Sequence, residues 1–221
     1  MTRMRHVIAQ PQPLDIRRRS VALLGILSGV AGQLALDLGR HDQADAMFRV
    51  GQLAASESED HDLAAWIAAT RSIGPFYAQQ YVTTADLLAS AQRLADRASS
   101  HRRRAWTAAL HARALAAAGQ HHDALAALDR AHTHIAATTD PPSGTDLFDQ
   151  HRLDGLAGEC HVLLGRPEPA ADYLARALTQ RAATYAKGRA LLTLDLAACR
   201  IIENERSACP GSRCKRAWLT T

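Results

Sequence analysis

Histidine and cysteine are the side chains of this chain best suited to bind a metal ion or to act as nucleophiles. The chain has eleven histidines, but no two of them stand three or four residues apart, the spacing at which one helix offers two ligands to one ion. Cys160 lies within a predicted helix, and Cys199, Cys209 and Cys214 lack a second ligand pair at zinc spacing. The sequence therefore predicts no metal site and no cofactor.

Residue patterns typical of enzymes are also missing from the sequence. It contains no Gly-x-Ser-x-Gly, no glycine-rich phosphate-binding loop and no His-Glu-x-x-His. Aspartate and glutamate are scattered where helix ends and solvated surfaces use them. The sequence thus predicts a protein that is not an enzyme and has no catalytic residues.

A short pattern, Gly-x4-Ala-x3-apolar-x2-small, recurs along the chain and predicts the elements that must position any functional side chain. Three good copies begin at Gly39, Gly119 and Gly165, and a weaker copy begins at Gln80. The alanines at 44, 85, 124 and 170 are 41, 39 and 46 residues apart, a period typical of stacked helical repeats.

The composition favours helices throughout. Hydrophobic residues make up 47% of the chain and aromatic residues only 5%, so alanine and leucine, the best helix formers, must build the core. The period-2 alternation of β-branched and aromatic residues that is typical of strands is absent. The predicted fold class is all-α.

The net charge of +4 does not point to nucleic acid. Only two of the 26 basic residues are lysine, and the basic runs lie at junctions: 17–19 at the first helix, 102–104 where the third pair begins, and 213–216 in the C-terminal tail. A nucleic-acid binder presents a basic stripe on one face, with stacking aromatics. We interpret the runs as solvated helix ends and expect no direct nucleic-acid binding.

The segment 17–32 has three arginines followed by an apolar run, and in this respect it resembles an export signal. Against that, its helical pattern continues in register with the first repeat, no Ala-x-Ala site follows, and the apolar run is shorter than the ~20 residues that span a bilayer. The segment is predicted to be a buried repeat helix, which implies a cytoplasmic protein without a membrane anchor.

Helices are predicted in pairs between an N-terminal tail (1–13) and a C-terminal tail. The repeat domain spans 14–204, with pairs at about 14–56, 60–97, 101–136 and 145–180. The helices within these pairs are 14–38 and 41–56, 60–79 and 82–97, 101–118 and 121–136, and 145–164 and 167–180. Glycines just past the first helices suit the left-handed conformation that ends a helix. The proline-rich loop at 140–144 accounts for the longest repeat spacing.

The C-terminal part predicts an incomplete fifth pair. Residues 184–204 resemble a first helix without its second, so this helix must close the stack. If it is poorly capped, its apolar face could pair with another copy to form a homodimer. The tail 205–221 changes composition, loses the repeat pattern and is expected to be disordered.

The repeats resemble the tetratricopeptide repeat, a helix–turn–helix unit with small residues at its eighth, twentieth and twenty-seventh positions. Starting the copies at residues 25, 66, 105 and 151 puts alanine at position twenty in each. The position-eight residues are Gly32, Ile73, Ala112 and Gly158. The resemblance covers about residues 20–180 and implies a right-handed α-solenoid of antiparallel helix pairs, with about nine helices.

Segments 34–40, 62–66 and 161–167 are similar to the C-terminal halves of bacterial Xre-type regulators. Those proteins place a DNA-binding helix-turn-helix domain ahead of such repeats. Fewer than 20 residues precede the first repeat here, whereas that domain needs about three helices. The resemblance implies a sensor or interaction half without its DNA reader.

In tetratricopeptide proteins the first helix of each pair lines a concave groove, so the resemblance implies a partner-binding groove here. The positions carried over are Gln33, Asp37, Thr70, Tyr77, Trp106, Arg113, Arg152 and Glu159. Trp106 and Tyr77 would be rigid anchors, and Arg113 and Arg152 could grip a carboxylate. The alternative is that Trp106 packs between repeats and that Arg152 and Glu159 form a solvated helix face.

Together these observations favour a non-enzymatic scaffold that binds a peptide or a partner protein, in bacterial transcriptional regulation or signalling. The alternative is the small-molecule-sensing half of a transcriptional regulator that lacks its DNA-binding domain. A ligand-dependent thermal shift with metabolites but not with peptides would favour the second interpretation.

Overall fold

The computed structural model describes residues 13–139, 141–142, 144–180 and 186–208. Within these ranges the chain is helical and contains no β-strand. The helices are α1 (Leu14–Asp37), α2 (His41–Glu57), α3 (His61–Arg71), α4 (Ile73–Tyr77), α5 (Tyr81–Arg97), α6 (His101–Ala117), α7 (His121–Ala136), α8 (Gln150–Leu163), α9 (Pro167–Gln180) and α10 (Ala186–Ala208).

The all-α class predicted from the sequence is confirmed, and most predicted helix ends agree with the structure to within one or two residues. The solenoid arrangement of these helices stays a prediction. The chain divides into two compact units, Met1–Asp149 and Gln150–Thr221. The division follows the loop at 140–144 that the sequence marks as its clearest break.

In the first unit, α1 carries a face of small residues that lets other helices approach closely. Gly25, Gly29 and Gly32 are buried, and α1 packs against both α2 and α3. A Cβ atom on Gly29 would lie 2.3 Å from Cζ3 of Trp66, and one on Gly32 would lie 2.8 Å from Cε1 of Phe48. The glycines therefore form recesses that accept these two aromatic rings, which belong to the main core of the unit.

By length and composition alone, α1 is also the one helix in the described part of the chain that could cross a membrane. It has 24 residues, and its most apolar window has a mean hydropathy of 1.5 with 33% of that window buried. The core helix of a soluble protein and a signal sequence have the same properties, so the predicted location in the cell stays a prediction.

The helix predicted at 60–79 is interrupted, which corrects the sequence-based boundary. The structure ends α3 at Arg71, and α4 begins at Ile73. Pro75 explains the break, because its nitrogen has no hydrogen to donate to the Arg71 carbonyl and its ring would collide with that group. Ser72 at the junction is buried, and its hydroxyl donates to the Ala69 carbonyl at 2.7 Å.

The turns after the first helices share one local geometry, and it corrects the register of the weak repeat. Gly39, Gly119 and Gly165 have φ of 69°, 77° and 67°, and Gln79, not Gln80, has the equivalent φ of 59°. Each is followed two residues later by a helix start. The weak copy therefore runs Gln79-x4-Thr84-x3-Leu88-x2-Ala91, and the last three positions are buried like their counterparts.

This corrected register places the first three copies 40 residues apart. It also predicts that the second turn is strained at Gln79, the residue with positive φ. Gln79→Gly should raise the free energy of unfolding by up to about 1 kcal/mol, because glycine adopts positive φ without the steric cost paid by other L-residues. The reverse change at an equivalent turn, Gly119→Gln, should lower it by about 1 kcal/mol. Urea unfolding of the two variants measures both values. Changes of the same sign would contradict the shared geometry.

The three arginines 102–104 are not solvated helix ends, contrary to the interpretation from sequence. Because successive residues of a helix point about 100° apart, each guanidinium reaches a different partner. Arg102 is buried and donates through Nη1 to the Phe148 carbonyl. Arg104 donates through Nε and Nη2 to the Ala95, Asp96 and Ala98 carbonyls at the end of α5. All three charges are used to join elements within the first unit.

Arg103 is the most deeply enclosed of the three, with 1% of its surface exposed. Its Nε lies 3.1 and 3.2 Å from the two Asp62 carboxylate oxygens, and its Nη2 lies 3.0 Å from Asp62 Oδ2. It also donates to the carbonyl and hydroxyl oxygens of Thr145. The helix predicted from 145 accordingly begins only at Gln150, because 145–149 lies against the start of α6 as non-helical chain.

In the second unit, α9 packs against both α8 and α10. Its core contains Leu174 and Ala177 of α9 together with Leu192, Cys199 and Ile202 of α10. Cys160 and Cys199 are buried, and burial, together with nearby Asp195 and Glu203, raises the pKa of the Cys199 thiol. The last helix extends to Ala208 rather than to 204. The remainder of the predicted C-terminal tail, 209–221, lies outside the described residues.

Candidate functional site

The predicted groove residues of the first unit differ in their accessibility. Gln33 and Asp37 are exposed on the second half of α1, and Tyr77 at the end of α4 is 69% exposed. Trp106 is partly buried against the main core, with the Arg103 guanidinium 5.3 Å from the centre of its ring. Packing therefore accounts for much of the Trp106 surface.

Thr70 does not line a surface, contrary to the prediction from the resemblance. It is 1% exposed, and its hydroxyl donates to the Trp66 carbonyl at 2.7 Å within α3. A threonine in this position satisfies its polar group inside its own helix and buries its methyl group. It is not available to a partner in this structure.

Two of the predicted residues, Tyr77 and Arg113, meet at one aromatic cluster. The Arg113 guanidinium carbon lies 4.0 Å from the centre of the Phe76 ring, a cation–π contact. The Tyr77 and Tyr81 rings both meet Phe76 edge-on, at 5.8 and 5.5 Å between ring centres. The sequence predicted the two residues for one surface but not Phe76, the residue that joins them.

Another titratable group on α6, the His111 imidazole, has its pKa shifted by its surroundings. Burial, with a smaller contribution from Arg130, lowers the pKa of the His111 imidazole, and Asp123 and Asp86 oppose the shift. Burial likewise lowers the pKa of His134. Both histidines are therefore disposed to be neutral near pH 7.

In the second unit, Arg152 is exposed and Glu159 is partly buried, both on α8. A separate row of stacked groups lies between α8 and α9. The His161 and Tyr173 rings stack at 5.5 Å, and the Arg176 guanidinium lies 4.5 Å from the Tyr173 ring centre. Arg176 also donates to the buried Asp154 carboxylate at 3.4 Å, and this row fastens the two helices to each other.

The first unit has a concave surface formed by two neighbouring cavities, both lined by residues of α2, α3 and α5, which we call the α2–α5 groove. The first cavity measures about 400 Å3. It is lined by Leu36, His41, Ala44, Asp45, Phe48, Arg71, Gly74, Pro75, Ala78, Gln80 and Leu87. The walls are mostly apolar, and the Asp45 carboxylate pairs with Arg71 at 2.7 Å and also with Arg49.

The second cavity of the α2–α5 groove measures about 610 Å3 and is more polar. It is lined by Gln52, Ala55, Ser56, Glu59, His61, Ala64, Leu94 and Arg97. The side chains of Gln52 and Arg71, which line different cavities, approach each other to 3.5 Å. Helices α2, α3 and α5 thus contribute to both cavities, with this contact between them, and the first cavity is also lined by Leu36 of α1 and by Gly74 and Pro75 of α4.

Small side chains explain why this space exists. Alanines at 44, 55 and 64 face the cavities from α2 and α3, where leucine or phenylalanine would fill them. Helices α2 and α5 both pack against α3. The resemblance pointed instead to the first helix of each pair, so sequence reasoning missed these residues. Asp45 and Gln52, which lie seven positions apart on one face of α2, were the available signal, and Glu59 lies just past the end of that helix.

Within the described ranges, no group of three or more histidine, cysteine, aspartate and glutamate side chains is arranged to hold a metal ion. The side chains that line the α2–α5 groove offer apolar contact, ion pairing and hydrogen bonding.

Comparison of the chain with protein-family models, with curated proteins and with solved structures found no match. The relationship to tetratricopeptide-repeat proteins and to Xre-type regulators remains a prediction carried by the residues of the repeats.

Proposed function

We propose that the first unit is a non-enzymatic helical scaffold that binds a peptide segment of a partner protein in the α2–α5 groove. The observation that carries this proposal is the pair of cavities along α3, of about 400 and 610 Å3. Each falls within the range of about 300–1,000 Å3 that is typical of ligand sites, and two neighbouring cavities favour an elongated occupant over a compact one.

The lining also defines the chemistry of the occupant. The apolar surface of Phe48, Leu87 and the lining alanines suits one or two large apolar anchors. Arg97 and His61 at one cavity, with Asp45 and Arg71 at the other, suit charged groups that fix the orientation of the segment. We therefore infer a short amphipathic segment, of the kind that presents apolar residues at helical spacing to a groove.

The resemblance to the C-terminal halves of Xre-type regulators supports placing this binding in bacterial transcriptional regulation or signalling. In that setting the chain would respond to a partner rather than contact DNA itself.

A displayed library of helical peptides tests the proposal. Ser56→Trp fills the second cavity from an exposed position and should weaken the selected peptides at least about 10-fold. Thr133→Trp, at an exposed position on α7, is the size-matched control and should leave the affinity within about 2-fold. Peptides that bind equally well to both variants would contradict the proposed site.

A second pair of variants separates charge from shape. Arg97 lines the second cavity, whereas Arg93 is exposed on the same helix and does not. Arg97→Glu should change both affinity and its salt dependence, and Arg93→Glu should change neither. If Tyr77→Ala abolished peptide binding while Ser56→Trp retained it, the binding site would be the aromatic cluster around Phe76 and not the α2–α5 groove.

The first cavity by itself favours a second candidate, a small-molecule sensor. Its lining is largely apolar and includes one ion pair, Asp45 with Arg71, and this composition is typical of a ligand pocket. Thermal stabilisation by a metabolite, abolished by Ala44→Leu and absent with every selected peptide, would support the sensor over the scaffold.

A further inference from the structure

Two histidines meet where the first turn of α6 lies beside the last turns of α7. His101 begins α6, His134 lies near the end of α7, and their ring centres are 5.9 Å apart. While at least one ring is neutral, this is an ordinary contact between imidazoles. Protonation of both would set two positive charges against each other across the two helices, and like charges at this distance repel.

A third histidine, His111, lies in the middle of α6, where a proton would also be unfavourable. Its Nδ1 atom is buried and has no hydrogen-bond partner among the described residues. A neutral imidazole can leave that nitrogen without a hydrogen, whereas an imidazolium must donate from both nitrogens. Protonation of His111 in place would therefore bury an N–H group that has no acceptor, which is costly.

Charged groups on α5, α6 and α7 surround these histidines. For both His111 and His134, burial is the largest influence and lowers the pKa of the imidazole. The charges around His111 are Arg130, which lowers its pKa further, and Asp123 and Asp86, which raise it. The charges around His134 are Arg104, His101 and Arg130, which lower its pKa, and Asp96, which raises it.

The direction of these shifts sets the pH range in which the contact between α6 and α7 weakens. A lowered pKa means that the packed helices bind fewer protons than the separated ones. Their packing is therefore fully stable above the ordinary histidine pKa of about 6.5 and loses stability as the pH falls below that value. The aspartates, whose ordinary pKa is about 3.9, keep their charge through most of this range.

Helix α7 is the element that protonation would release. Within the first unit it packs chiefly against α6, and its buried face consists of Ala124, Ala127, Leu128 and Ala131. Alanine buries little apolar area, so this face contributes less stability than the main core of the unit, which contains two aromatic rings. Elements with few large apolar contacts are the ones that open locally at the lowest cost in free energy.

We propose that α6 and α7 form a proton-sensitive pair, in which protonation of His111 and of the contact between His101 and His134 releases α7 from α6. Buried nitrogen, facing rings and a small apolar face act together, because each favours the packed pair only while the imidazoles are neutral. None of these histidines lines the α2–α5 groove, so the proposal does not depend on the peptide function.

Hydrogen exchange of the full chain, followed by mass spectrometry at about pH 7.5 and about pH 5.5, tests the proposal. After correction for intrinsic exchange rates, acidification should reduce the protection of α7 at least about 3-fold more than that of α1, which contains no histidine. The double variant His111→Gln, His134→Gln should lose this difference, because glutamine takes up no proton. His122→Gln, at an exposed position on α7, is the control and should retain it.

Substitution of the neighbouring charges separates proton uptake from packing. Arg130→Gln removes a positive charge that lowers the pKa of both His111 and His134, so acidification should cost α7 less protection than in the native chain. Asp123→Asn removes a negative charge that raises the pKa of His111, so acidification should cost more. Both positions are exposed, so neither change opens a cavity.

Three results would each overturn the proposal. They are equal pH dependence of α7 and α1 in the native chain, acid sensitivity of α7 retained in the double glutamine variant, and effects of the same sign for Arg130→Gln and Asp123→Asn. If circular dichroism at about pH 7.5 shows that His111→Gln prevents folding, His134→Gln alone tests the proposal, since this side chain is only partly buried. It should then reduce the acid-induced loss of α7 protection, and an unchanged loss would overturn the proposal.

Discussion

Replacement of Arg103 by leucine should lower the free energy of unfolding by about 3 kcal/mol. The change removes a guanidinium that is 1% exposed and leaves the Asp62 carboxylate and the Thr145 oxygens without their donor. Removing one partner of a buried ion pair costs about 3–5 kcal/mol. We expect the lower end of this range because a third of the Asp62 side chain is exposed, so water can partly solvate its charge once Arg103 is gone. Urea unfolding measures the loss as a shift in the midpoint.

Two comparisons make this prediction specific to the buried pair. Arg97→Leu removes an exposed arginine and should change stability by no more than about 0.5 kcal/mol. In an Asp62→Asn background, Arg103→Leu should cost less than in the native chain by about 1–3 kcal/mol, the coupling energy of the pair. Equal costs in the two backgrounds would show that Arg103 contributes through packing against Trp106 rather than through Asp62.

Substitution of Gly29 by alanine should be the second large effect, a loss of about 3 kcal/mol. The added Cβ would lie 2.3 Å from Cζ3 and 2.7 Å from Cη2 of Trp66, so the rigid ring would have to move within a packed core. Alanine is otherwise the better helix former by about 1 kcal/mol, and this gain offsets only part of the strain. Thermal and urea unfolding should both report the loss.

A second helical glycine serves as the control. A Cβ on Gly155 of α8 would meet the flexible tip of Leu192 at 3.3 Å and the Ala177 Cβ atom at an ordinary 3.9 Å, so Gly155→Ala should stay within about 1 kcal/mol of the native chain. Trp66→Leu should reduce the additional cost of Gly29→Ala because it removes the ring that the methyl group strikes. A Gly29→Ala protein as stable as the native chain would show that α1 can shift away from α3.

The turns show how much of the fold could be predicted locally. Helix ends can be predicted from the glycines at 39, 119 and 165. A left-handed residue and the backbone hydrogen bonds that end a helix there involve only residues within one turn of each other. The same geometry at Gln79 was placed one residue late, since glutamine gives no sign of positive φ. Pro75 is a local signal for the break between α3 and α4, which divides the single helix predicted at 60–79.

The candidate site was less accessible to sequence reasoning. Tyr77 and Arg113 were selected by resemblance and do meet, but through Phe76, which was not selected. The α2–α5 groove was missed because a cavity is defined by the atoms that are absent between helices. Its alanines look the same in the sequence as the alanines that pack tightly elsewhere in the core.

The sequence by itself determined the helical class, the repeat period and most of the places where helices end, because helix propensity, glycine turns and periodicity act over a few residues. Only the tertiary structure decided that Arg103 is buried against Asp62, 41 positions away, and that α1 has one face packed and the other open. A charged or apolar residue has the same helix propensity whether its side chain is buried or exposed. Which environment it occupies depends on distant helices, and only their packing shows it.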